Sequence, residues 1–221
     1  MSQVRTISNS ISSEFMKRST TNRTDMIAFW KPYESYGCFS QLYSEKDGHF
    51  TFKQSSIPDS LFYNLEQALL HLDHQMDLSL IEGIQFDCLQ RFIVMGKILL
   101  FNKIKVRRLK NIADPLLIHN FELYGIRNID FNIWSQINLI WTTIGNYLKF
   151  QNPALRSVLH SSNGKFLANA NPYDKTFGIG ISTANSSIHY PNKWKDSSKM
   201  KKGNEPTNKL GESLMTVRAM L

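Results

Sequence analysis

The stretch Phe86–Asn102, FDCLQRFIVMGKILLFN, constrains the fold more than any other part of the chain. Its apolar residues Phe86, Leu89, Phe92, Ile93, Met95, Leu99, Leu100 and Phe101 recur from Leu89 onward at helical spacing. The stripe they form is wide enough to be buried, so other elements must wrap around it. Two polar side chains, Gln90 and Lys97, interrupt the stripe seven residues apart. That is two turns, about 10.5 Å of rise, and puts both on nearly one face. Two readings stay open here. Gln90 can cap a polar edge while Lys97 snorkels to water, or the pair can line a site.

The 221 residues suffice for one domain with a small appendage, and 42% apolar content supports a real core. Lys and Arg outnumber Asp and Glu by 26 to 18, a balance of +8 that favours anionic partners such as nucleotides, nucleic acid or an acidic protein surface. The densest basic segment is Lys103–Lys110, with Lys103, Lys105, Arg107, Arg108 and Lys110. It reads as a solvated face or a phosphate-facing ridge, and makes nucleic-acid binding a third-ranked reading. Cys38 and Cys88 form neither a disulfide framework nor a metal-spacing motif. No apolar run is long enough to cross a bilayer, and the N-terminus lacks the apolar core of a secretory signal. The expectation is therefore an intracellular protein, cytoplasmic or nuclear, with a virion also compatible. Residues 1–25, rich in Ser and Thr, read as a flexible tail.

Along the chain, Met26–Phe29 and Phe166–Asn169 read as short strands, with further strands at His49–Lys53 and Leu78–Gln85. Helices are expected over Ser60–Met76 (capped by Asp59 or Ser60), Ala113–Tyr124, Phe131–Phe150, Ala154–His160 and Asn208–Leu221. His71 and His74 stand at metal spacing without a third ligand, so they read as surface histidines, and no metal or other cofactor is expected. Residues 182–207 form a long polar loop. The fold class is α+β, mainly helical: a single compact domain with short strands.

Two segments carry legible chemistry. In Leu167–Gly180, Asp174 stands before Gly178 and Gly180, where backbone amides can approach a phosphate or sugar. In Asn208–Arg218, Asn208 can cap a helix whose N-terminus would point at an anion.

Taken in order, five blocks resemble the NADAR family, the YbiA-like N-glycosidases. Tyr36–Tyr43 (YGCFSQLY) is similar to the family's YG-x-FSNFY. Phe86–Phe101 resembles its F-x-C-x-EQ-x-x-M-x-x-KA-x-x-F helix, and Trp134 with Lys149-Phe150 resembles a Trp followed by KF. Leu167–Gly180 resembles LVE-x-x-x-x-D-x-x-WG-x-G, and Asn208–Arg218 meets N-x-LG-x-x-LM-x-VR at each fixed position. The resemblance covers residues 27–221, with 44–82 as an insertion. It implies cleavage of the N-glycosidic bond of a ribose phosphate, on riboflavin-pathway intermediates or ADP-ribose attached to nucleobases. That chemistry needs a carboxylate to activate water or steady an oxocarbenium-like ribose, with donors for the phosphate or base. The resemblance thus points to Asp174, Gln90 and Lys97 as the reacting set. Phe39, Ser40, Gln41, Trp134, Asn169, Phe177, Gly178, Gly180 and Asn208 would contact substrate.

The departures are informative. The family's helix Glu falls on Gln90, the Glu of LVE on Asn169, the Trp before the glycines on Phe177 and the Asn of FSNF on Gln41, while Lys97 and Asp174 are kept. Amides keep the shape of a carboxylate but neither charge nor basicity. The expectation is a divergent, non-catalytic binding, regulatory or structural subunit. Its ligand would be ADP-ribose or a nucleotide, or its partner a protein docking on 44–82. The alternative is an active N-glycosidase using Asp174, with Glu66 as a second carboxylate supplied by the insertion, because Asn64–Leu69 (NLEQAL) also resembles the Glu-Gln helix start.

Overall fold

The computed structural model describes residues 26–102, 129–185 and 206–221. The basic segment Lys103–Lys110, the helix expected over Ala113–Tyr124, residues 1–25 and most of the 182–207 loop lie outside the described residues.

Strand β1 (Met26–Phe29) leads into a loop and a 3-10 turn at Gly37–Phe39. Strand β2 (Phe50–Thr51) precedes helix α1 (Asp59–His71). Strand β3 (Gln85–Phe86) leads to α2 (Leu89–Phe101), and α3 (Phe131–Lys149), α4 (Pro153–Ser161), β4 (Phe166–Asn169) and α5 (Lys209–Met220) complete the order. The architecture is α+β and mainly helical. Helix α3 is its axis, packing against α1, α2 and α5. β1 and β4 pair in parallel, Met26 opposite Phe166 and Phe29 opposite Asn169. β2 and β3 pair antiparallel.

Local chemistry explains most boundaries. Asp130 caps α3 by accepting from the amides of Asn132 and Ile133, and Asn152 does the same for α4 ahead of Pro153. Helix α1 starts differently from the sequence expectation. Neither Asp59 nor Ser60 caps it; the carbonyl of Pro58 accepts from Leu61 and Phe62, and Asp59 lies inside the first turn, where its charge favours the helix N-terminus. The strand expected over Leu78–Gln85 is instead a 3-10 turn, Leu78–Ile81, followed by two-residue β3. Gly83, at φ +72°, breaks the extended run.

Helix α2 is buried from Leu89 through Leu99 without interruption. Phe92 stacks on Trp141 of α3 with ring centroids 4.3 Å apart and planes 2° from parallel. The Trp141 indole N–H donates to the Phe92 carbonyl at 2.8 Å. Gly96 makes this contact possible, since any Cβ there would overlap the indole. Phe50, Phe52 and Phe86 complete the aromatic cluster around Phe92.

Candidate functional site

Burial settles the first question about Gln90 and Lys97. They are only 8% and 6% exposed, so Lys97 does not snorkel. Its ammonium lies 5.4 Å from the ring centre of Trp134 on α3, itself buried. Burial lowers the Lys97 pKa from 10.5 to about 8, and the Asp174 carboxylate pulls the other way. Lys97 of α2, Trp134 of α3 and Asp174 of the β4–α5 loop thus converge on one place, with Gln90 two turns along α2 from Lys97.

Asp174 is held by its own loop. Its Oδ1 accepts from the amides of Thr176 and Phe177 at 2.8 and 2.9 Å. The amide of Gly180 donates to the Asp174 carbonyl, and that of Ile179 to the Asn169 carbonyl. These amides are spent inside the loop, so it does not present them as an anion cradle. Gly178 serves a steric end instead: a Cβ there would sit 2.7 Å from the Asp174 carbonyl oxygen and 2.9 Å from that of Asn169.

Asn208 is not the cap that its position suggests. It takes a left-handed conformation, φ 50°, and makes no side-chain cap bond. Its Oδ1 accepts from the Asn169 amide at 3.0 Å, and its Nδ2 donates to the Leu167 carbonyl at 2.9 Å. The side chain therefore clips onto β4 like a missing strand. The amides of Lys209 and Leu210, at the start of α5, donate to the Thr176 and Phe177 carbonyls. That helix end is closed by the Asp174 loop rather than open to an anion.

Asn169 has a structural task of its own. Its side-chain Nδ2 donates to the Phe177 carbonyl at 3.2 Å, which a glutamate could not do. Phe177 is buried. Phe39, fully buried among Phe29, Tyr36 and Phe150, is core rather than a substrate contact. Ser40 and Gln41 act through their backbone carbonyls: Gln41 accepts from the Gln90 amide at 2.8 Å, and Ser40 from Lys149. The Gln41 side-chain Oε1 is buried without a hydrogen-bond partner among the described residues.

Lys149 is a buried cation beside the site that the sequence does not single out for a role there. It is 1% exposed, and its ammonium donates to the carbonyls of Cys38 and Ser40 at 2.6 and 3.2 Å. Burial lowers its pKa to about 8. It fastens the 36–43 loop to α3 while Gln41 fastens it to α2. A second omission is a polar seam on α3, Asn138, Thr142 and Asn146 at four-residue spacing, all buried. Lys209 donates to Asn138 and Asn146 donates to Ser213, so the seam joins α3 to α5. The spacing within an otherwise apolar helix is the signal that would find it.

Other features fall outside the site. Glu66 is exposed on α1 and is not among the charges acting on Lys97. Neither observation favours the register that makes Glu66 a catalytic carboxylate. His71 is exposed, and the described residues contain no cluster of metal-ligating side chains. Burial pushes the Cys88 thiol up to about 12, which makes it a poor nucleophile. A surface groove of about 580 Å³ lies among Gln54, Ile57, Asp59, Phe62, Ser79 and Glu82, sharing no residue with the Lys97 site. No helix among the described residues is long and apolar enough to cross a membrane.

Residues 28–221 match the model of the NADAR domain. A viral protein, N-glycosidase R617 of Acanthamoeba polyphaga mimivirus, is 37% identical over 95 residues. The match spans 42% of this chain and about half, 49%, of that protein's length. The NMR structure of the E. coli protein YbiA superposes with a TM-score of 0.57 at 14% identity, over 90% of this chain and 86% of YbiA.

Proposed function

The chain belongs to the NADAR domain family, and on that premise we propose that it binds a ribose phosphate carrying an N-glycosidically linked base and has lost rapid cleavage of that bond. The observation that carries the proposal is the environment of Lys97. Lys97, buried to 6% exposure, has an aromatic ring beneath it and the Asp174 carboxylate nearby, so a cation, a π-face and a carboxylate meet in one buried place, the kind of setting that marks a functional site. The phosphate or polarised base of a ribotide suits that cation, and its ribose suits the carboxylate.

Hydrolysis makes a further demand. One group must stabilise the positive charge that develops on the ribose, and a base must activate water. Asp174 can do the first through Oδ2, since Oδ1 is engaged by two amides. The second task falls to the helix position that Gln90 occupies, and an amide accepts no proton near neutral pH. Loss of a general base typically slows reaction by about 10²-fold to 10⁴-fold.

Calorimetric titration with ribose 5-phosphate tests the binding claim. Lys97 is charged below its pKa of about 8 and neutral above it. Affinity should therefore hold from pH 6 to 7.5 on the order of its maximum and fall as pH rises through that value. Lys97→Met should abolish both the binding and its pH dependence. Binding that is flat across this range would remove Lys97 as the anion contact.

A second reading has its own support. The amide of Asn169 bonds the Phe177 carbonyl, so that substitution is no sign of a decayed site. The viral relative also carries the name of an N-glycosidase. Under this reading Asp174 alone sustains turnover. Release of base from an ADP-ribosylated guanine by the pure protein, abolished by Asp174→Ala, would establish it over the binding-only reading.

A further inference from the structure

Beyond the buried site lies a cluster of aromatic rings in which Tyr33 and Tyr173 are exposed and Trp30 is half-buried, packed against the small core around Phe166 and Ile179. Because β1 and β4 run in parallel and in register, the loops that follow them leave the same edge of the sheet. The Ala170 amide still donates to the Phe29 carbonyl at 2.7 Å, which holds the two loops together as they depart. The first carries Trp30, Lys31 and Tyr33, and the second Tyr173 and Asp174. Trp30 and Tyr173 meet edge to face, with centroids 6.2 Å apart. The Lys31 ammonium lies 5.0 Å from the Trp30 ring and 5.6 Å from that of Tyr33. Tyr173 is 88% exposed and Tyr33 79% exposed.

Aromatic rings left this open to water forgo the burial that normally keeps them in a fold. Their placement gives them a use. The carboxyl ends of parallel strands are where such sheets receive ligands, and Tyr173 precedes the carboxylate of the site by one residue. Lys31 beside the rings, ion-paired with Glu34 at 3.7 Å, and Lys97 deeper in give this edge a cationic side that suits a ligand planar at one end and anionic at the other.

We propose that Tyr173, backed by Trp30, is the stacking platform for the nucleobase of the bound ribotide. It would receive the base joined to the same ribose that Asp174 and Lys97 hold. This inference rests on the ribotide-binding reading above and extends it to the base. Stacking recognises a π-face rather than a hydrogen-bond pattern, so purines should bind more tightly than pyrimidines, with little discrimination within either class.

The test compares guanosine 5′-monophosphate with ribose 5-phosphate, by calorimetry, on the full chain. The two ligands differ only in the base and its anomeric bond. Tyr173→Ala should weaken guanosine monophosphate by about tenfold and leave ribose 5-phosphate unchanged, while Tyr173→Phe retains both. Tyr173 is so exposed that its replacement should not disturb folding, which circular dichroism checks. Unchanged guanosine monophosphate affinity in Tyr173→Ala, with both ligands lost in Lys97→Met, overturns the platform and leaves the ribotide reading standing. Equal losses for the two ligands in Tyr173→Ala also overturn it, since a base contact cannot act on a ligand without a base. A wild-type chain that binds neither ligand overturns the ribotide reading and the platform with it.

Discussion

A Gln90→Glu variant should cleave an N-glycosidic ribotide roughly 10²-fold to 10⁴-fold faster than the wild-type chain, the usual contribution of a positioned general base. The residue lies on α2 two turns from Lys97, and its backbone amide is already fixed by the Gln41 carbonyl. A glutamate there inherits the position without rebuilding the loop. It also brings a negative charge to the Lys97 face, so the lysine should keep its proton to higher pH than about 8 and extend anion binding into the alkaline range. Base release measured by liquid chromatography gives the rate, and the pH profile gives the coupling. Asn169→Glu is the informative contrast. Its side chain would set an oxygen against the Phe177 carbonyl, where Nδ2 now donates, so it should lose stability and gain no turnover. A well-folded Gln90→Glu protein that binds ribotide but stays at wild-type rate would show that Gln90 is not the reacting position.

Gly211→Ala should destabilise the fold by about 3 kcal/mol or more, a larger loss than its single methyl suggests. A Cβ at 211 would overlap the Leu167 carbonyl oxygen and press on both polar atoms of the Asn208 side chain. The obstacle is backbone of β4, which cannot rotate aside. Relief requires parting α5 from β4, and that breaks the bonds from Asn208 to Leu167 and Asn169. The Asp174 loop is tied to the first turn of α5, so ribose 5-phosphate affinity should fall together with the urea midpoint. Gly164→Ala provides the scale. Gly164 has φ +76° with nothing within 4 Å of the added carbon, so its cost is the backbone term alone, about 1 kcal/mol. Similar losses at the two positions would refute the close-packing account of Gly211.

Much of the helical framework was legible because its signals are local. The apolar stripe of α2 and the Pro153 start each act within a turn or two. Site residues were harder to read because their partners are remote in sequence. Asn208 looks like a helix cap when only its neighbours are considered; its partners, Leu167 and Asn169, are about forty residues earlier. Lys149 reads as the last-turn lysine of α3, yet its acceptors are Cys38 and Ser40. Gly178 and Gly180 carry the look of a phosphate loop, but the carbonyls of Asp174 and Asn169 claim the surrounding space and amides. Phe39 follows the same rule in reverse: a motif position that a family resemblance assigns to substrate is filled by aromatic packing. The strand expected over Leu78–Gln85 and not found is a local failure, a run of apolar residues that Gly83 and the Asp77–Ser79 hydrogen bond turn aside.

The register of β1 on β4 has a consequence for how the molecule assembles. Met26 pairs with Phe166, so the first described strand has no partner until three quarters of the chain has been made. Loop-closure entropy must be met before so distant a pairing is rewarded, which places it after contacts between near neighbours in the general expectation for such topologies. Trp30 leaves one of these strands, and Tyr173 and Asp174 leave the other. The edge proposed to face the ligand is therefore complete only when that long-range pairing closes, and a ligand that bridges the two loops would act as its latch.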